Sequence, residues 1–401
     1  MPPVDDGNIS GNTRPLHFIS AAYIDGYLWT NALEWNGYYR VNMMTGKAEF
    51  LGFFEYADIL RDKLFNQVLA WKKYVFFIPW IYDYLVRLDT VTLEIRYWRL
   101  PERIVREIAK FRSANIYEEK IVMFPHVGDD ICIFHIKEEK FECENRWVRD
   151  MVGLETGIQK DCFLQGCQKG KFVYLPNLMG SFILKFNLED YGHEIISFPD
   201  AEKKIVDITE YDNNRILALS WAGNVWKYNI DTGERELIYK YSGNIEFPYR
   251  HILVLENHFY LIPSKEKNIK IFDQKGERII SYPNGWKQKD KIAGLDFLFN
   301  GCLKSRTENM LYPCLGNMLL KIEPQQEKTA GLPICENKEP REKEMIRQIE
   351  SESSNLSERI LEEPKPELDL FLKVFIGRKQ VEDNALLNTA GAKIWNQVRG
   401  R

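Results

Sequence analysis

No stretch of this 401-residue chain is long and apolar enough to cross a bilayer, since its most apolar run, at 74–86, is short and broken by Pro79 and Asp83. The first sixteen residues, MPPVDDGNISGNTRPL, lack both the basic and the apolar region of a secretory signal. A cytoplasmic protein without membrane contact is therefore expected. Neither sign of charge dominates: 54 basic against 58 acidic residues leave a formal net charge of -4, which argues against nucleic acid or anionic lipid as partner. The seven cysteines, at 132, 143, 162, 167, 302, 314 and 335, are odd in number and include no CxxC. That excludes a regular disulfide framework and offers no closed zinc site, so reduced thiols and no metal or cofactor are expected. Phosphate-loop, nucleophile-elbow and HExxH signatures are absent, and His17, His126, His135, His193, His251 and His258 are dispersed along the chain.

What is plentiful is aromatic and β-branched sequence, with 45% hydrophobic and 13% aromatic residues. The clearest stretch is ILALSWAGNVWKYNIDTGER at 216–235. Its continuous apolar run, Ile216 to Leu219, suits a strand covered on both faces, and Val225, Trp226, Tyr228 and Ile230 form a second strand. Asp231-Thr232-Gly233 then supplies a turn, with glycine for positive φ and polar side chains to bond its backbone.

The same unit recurs: GYLWT and YYRVN at 26–30 and 38–42, YVFFIP and YLVRLD at 74–79 and 84–89, and KIVMFP and ICIFHI at 120–125 and 131–136. It returns as KFVYLP and FILKFN at 171–176 and 182–187, HFYLIP and IKIFD at 258–263 and 269–273, and NMLYP and MLLKIE at 309–313 and 318–323. The equivalent positions Thr30, Pro79, Pro125, Pro176, Ser220, Pro263 and Pro313 are 43 to 51 residues apart. A period of that length with about four short strands per unit predicts an all-β fold, a β-propeller of seven four-stranded blades, with six or eight as the alternatives, and a short α-helical C-terminal extension. The units resemble generic β-propeller repeats, and NVWKYNIDTG at 224–233 and YYRVNMMTG at 38–46 are similar to the turn of pyrroloquinoline-quinone-type repeats. Kelch glycine pairs, the Gly-His and Trp-Asp pattern and the sialidase Asp box are missing. The resemblance thus implies a fold and no activity.

Four segments follow: a polar arm at 1–16, the propeller at 17–334, a charged helical linker at 335–367 and a helical segment at 368–401. Met345, Ile346, Ile349, Leu356 and Ile360 share a helical face in the linker, and the apolar LDLFLKVFI at 368–376 is expected to dock on the propeller or on another chain.

The loops after the recurrent proline position should share one face, bringing Asn31, Trp80, His126, Asn177, Trp221, Ser264 and Cys314 into a ring suited to a protein or a small polar ligand. Near the starts of the innermost strands lie Asp161, Asp207, Arg250, His251 and Asp296. The expected function is a binding or scaffolding module. The alternative is a carbohydrate-active hydrolase or lyase with Asp161, Asp207 and Asp296 as its acid and base candidates.

Overall fold

A computed structural model describes residues 13–147, 163–177, 180–198, 204–255, 258–266, 268–273, 276–280, 301–305, 310–315, 318–321 and 330–357. Asp161, Asp296 and the segment 368–401 lie outside them. The chain divides into two compact units, Met1–Glu339 and Pro340–Arg401. Within the first, each sequence repeat is an antiparallel meander whose spatial strand order follows the chain. In the second repeat the strands are Phe65–Trp71, Tyr74–Pro79, Tyr84–Asp89 and Ile95–Arg99, and in the fifth Ile205–Glu210, Arg215–Ser220, Val225–Asn229 and Arg235–Tyr239.

The continuous apolar second strands follow from their position between neighbours. In YVFFIP, Val75 and Phe77 pack with Trp29, Tyr38 and Phe54 of the first repeat, while Phe76 and Ile78 pack with Phe111, Ile121 and Met123 of the third. In the fifth repeat Ile216 and Ala218 face Tyr174 and Ile183, whereas Leu217 and Leu219 face Tyr249 and Leu261. Both sheet faces are dry, so alternation of apolar and polar residues is absent.

The expectation of seven four-stranded blades is not matched. Among the described residues six sheets have four strands, and the first repeat belongs to a six-stranded sheet. Beyond its outer strand, Lys47–Gly52, lies Cys335–Asn337 in parallel, and beyond that Thr13–Pro15, antiparallel to it. Both were expected in flanking polar segments, yet they join the two ends of the repeat array. Leu16 N–H donates to the Ile334 carbonyl (3.1 Å), Glu336 is fully buried and paired with Arg14, and the Arg14 guanidinium lies 3.6 Å from the Trp35 ring centre. Leu319 of the last repeat packs with Leu28, Val41 and Ala48 of the first, which brings the two ends of the array together. Helix Lys338–Ser357 follows, with Ile346 exposed.

Candidate functional site

The first strands of the repeats lie side by side and are joined by polar side chains. Gln67 both accepts from Ala114 N–H (2.6 Å) and donates to the Ala114 carbonyl (3.1 Å), Asn115 donates to Gln168 (3.3 Å), and Asp207 accepts from Ile252 N–H (2.8 Å). The bonds of Gln67 and Asp207 satisfy backbone groups that would otherwise be buried unpaired. Four of these strands carry a register shift at the same place: Phe65, Phe111, Ile205 and Tyr249 pair in register with the second strand, the next residue is passed over, and pairing resumes at Gln67, Ser113, Asp207 and His251. The bulged residues are Asn66, Arg112, Val206 and Arg250. A bulge re-aims the side chain it carries, and here it places two arginines at matching positions of the third and sixth repeats.

Burial pushes the Arg112 guanidinium below its ordinary value. Burial, and after it the charge of Arg112, pushes Arg250 down to about 9, against the opposing pull of Asp207. A guanidinium does not release its proton at neutral pH. Both side chains therefore stay positively charged on the bulges of the innermost strands, and a positive surface there favours an anion.

The loop residues after the recurrent proline adopt a shared geometry. Trp80, His126, Trp221 and Ser264 each donate their backbone N–H at 2.8 Å to the residue preceding or opening the adjacent first strand, namely Leu64, Lys110, Lys204 and Pro248. Side chains then diverge. Trp80 and His126 meet edge to face at 6.2 Å between ring centres, and the Arg112 guanidinium carbon lies 5.4 Å from the Trp80 ring centre. Arg112 also donates to Asn66 Oδ1 at 3.4 Å, and the Trp80 indole N–H is buried with no acceptor among the described residues. Trp221 stacks instead on Phe247 at 4.3 Å, carries Lys204 on its ring and donates to Glu246 (3.2 Å). Asn31, Asn177 and Ser264 are almost fully buried, with Asn31 donating to the Ala32 carbonyl (3.0 Å) and Asn177 accepting from Gly180 N–H (3.1 Å). The side chain of Cys314 lies outside the described residues.

Of the expected ring, the structure thus joins Trp80 to His126 and adds Arg112 and Asn66, while Arg250 occupies the matching bulge of the sixth repeat. Arg112 lies one repeat beyond Asn66, so the repeat period itself was the signal that could have located it. Asp207, the one acid or base candidate among the described residues, is engaged by Ile252 N–H and lies 3.3 Å from His251 Nδ1. Among the described residues, no three His, Cys, Asp or Glu gather as metal ligands, and no helix is long and apolar enough to cross a membrane.

No protein-family model matches the chain, and no curated protein does. Solved structures do. A catalytically inactive virginiamycin B lyase from Staphylococcus aureus with quinupristin is 11% identical with a TM-score of 0.55, over 81% of this chain and 96% of that one. The WD40 repeats of RRP9 are 8% identical with a TM-score of 0.54, over 77% and 91% of the two chains. The computationally designed Ika8 is 9% identical with a TM-score of 0.52, over 79% and 87%. A lyase, a repeat domain and a designed protein share the architecture, so at these identities the likeness is one of fold alone: the chain is a β-propeller.

Proposed function

We propose that the protein is a binding module that takes a polar ligand, through an anionic group of that ligand, at the inner rim formed by Arg112, Arg250, Trp80 and His126. The observation that carries this reading is the placement of Arg112 and Arg250 on equivalent bulges of the third and sixth repeats, with the Arg112 guanidinium carbon 5.4 Å from the Trp80 ring centre. Two planar guanidiniums offer fork-shaped donors to carboxylate or phosphate, and the indole beside them adds a flat apolar surface. A protein partner would use the same arginines through an acidic side chain. Cytoplasmic placement belongs to the proposal and is supported by the free thiols of Cys132, Cys143, Cys167 and Cys335.

The test is a titration of the full chain with inorganic phosphate, citrate and an acidic peptide, followed by calorimetry and thermal denaturation. At least one should bind saturably, and Arg112→Gln or Arg250→Gln should weaken it by ~10-fold or more, as expected for a lost charge-assisted hydrogen bond. Absence of binding by all three, or equal binding by both variants, would overturn the reading.

A further inference from the structure

A second chemical site lies on the outer half of the third repeat, away from the inner rim. Strands Ile131–His135 and Lys140–Glu144 pair so that Cys132 and Cys143 stand directly opposite each other. Opposed residues of an antiparallel pair have Cα atoms about 4.5–5.5 Å apart, inside the range of about 4.4–6.8 Å that a disulfide spans. As directly opposed residues of an antiparallel pair, the two side chains share a face of the sheet. Cys132 is fully buried between the second and third repeats with Phe76, Leu85 and Ile104, whereas Cys143 is half-buried at the edge of that cluster.

Arg103, on the short helix Glu102–Val105, has its guanidinium 3.3 Å from Asp130 Oδ2, just ahead of the strand that carries Cys132. The partner thiol first, and Arg103 after it, lower the Cys143 thiol below its usual range, while Asp130 opposes them. Burial raises Cys132, Cys167 and Cys335. One partly exposed thiol inclined to ionise thus sits on a buried one that is not.

We infer that Cys143 and Cys132 form a peroxide-reactive dithiol site, in which Cys143 is the nucleophile and Cys132 resolves the product to a disulfide. The Cys143 thiolate attacks the terminal oxygen of a hydroperoxide; the O–O bond breaks, the alkoxide or hydroxide leaves with a proton, and sulfur becomes a sulfenic acid. The Cys132 thiol then displaces the sulfenic hydroxyl, releasing water and closing the S–S bond, and a dithiol reductant restores both thiols.

The experiment is stoichiometric hydrogen peroxide on the reduced full chain, read by thiol titration and peptide mass mapping. A bridge joining the Cys132 and Cys143 peptides should form, with Cys167 and Cys335 still reduced. Cys132→Ser should halt the reaction after the first step and accumulate a sulfenic acid on Cys143 that a cyclic diketone traps, while Cys143→Ser should lower the rate of peroxide consumption ~10-fold or more. The rate should be full above the Cys143 inflection and fall as pH drops through it, at a pH below the ordinary thiol value of about 8.5, and Arg103→Gln should move that inflection upward. Oxidation of Cys167 or Cys335 first, or equal rates in wild type and Cys143→Ser, would overturn the assignment.

Discussion

At the residue scale, the turn after the third strand of the fifth repeat is set by one side chain rather than by the Asp-Thr-Gly triplet as a whole. Asn229 Oδ1 accepts from Asp231 N–H (3.0 Å) and Thr232 N–H (3.2 Å), and Gly233, at φ 75°, donates to the Asn229 carbonyl (2.9 Å). Asn42 and Asp89 repeat this, with Gly46 at φ 70° and Leu93 at φ 61° in the glycine place. Gly233→Ala meets no atom within 4 Å, so its cost should be the left-handed penalty alone, about 1–2 kcal/mol. Gly46→Ala should cost more, because its Cβ would stand 2.1 Å from the Pro333 carbonyl oxygen. Urea denaturation checks both, and equal losses would mean that the backbone there yields freely. Asp207→Ala should destabilise by about 1–3 kcal/mol, since Ile252 N–H would lose its acceptor, and an unchanged urea midpoint would return Asp207 to the pool of functional carboxylates.

At the scale of elements, legibility follows burial. The second strands at 74–79, 120–125 and 258–263 were placed to the residue because their apolar runs end in proline at a strand boundary. The first strand of the third repeat, FRSANIY, was not singled out: Arg112, Ser113 and Asn115 serve neighbouring strands and inner rim, which removes the apolar signal. Trp80 and His126 were read as site residues from their loop position, but Trp221 was grouped with them although Phe247, 26 residues on, claims its ring. The closing strands were illegible for another reason. They are three residues long and pair across 322 residues, so no local pattern announces them. Arg14→Ala would deprive the fully buried Glu336 carboxylate of its ion-pair partner, and a loss of about 3 kcal/mol in urea denaturation is expected. A loss below about 1 kcal/mol, typical of exposed pairs, would mean that closure does not depend on this contact.

At the scale of the whole molecule, the repeats solve a packing problem and leave the inner rim free to vary. The dry faces between repeats hold the aromatic core, Val206 of one bulge included, while the other bulges place Asn66, Arg112 and Arg250 outside the core clusters. Such division lets one architecture carry unrelated activities, in keeping with the three dissimilar proteins that share it. Trp80→Ala should weaken ligand binding together with Arg112→Gln, whereas Trp221→Ala, whose ring is stacked on Phe247, should chiefly lower stability. The most direct test is calorimetric titration of the wild-type chain and of Arg112→Gln with phosphate, citrate and the acidic peptide at one ionic strength. Saturable binding by the wild type with loss of ~10-fold or more in the variant is predicted; identical isotherms for the two chains would contradict the anion site at the inner rim.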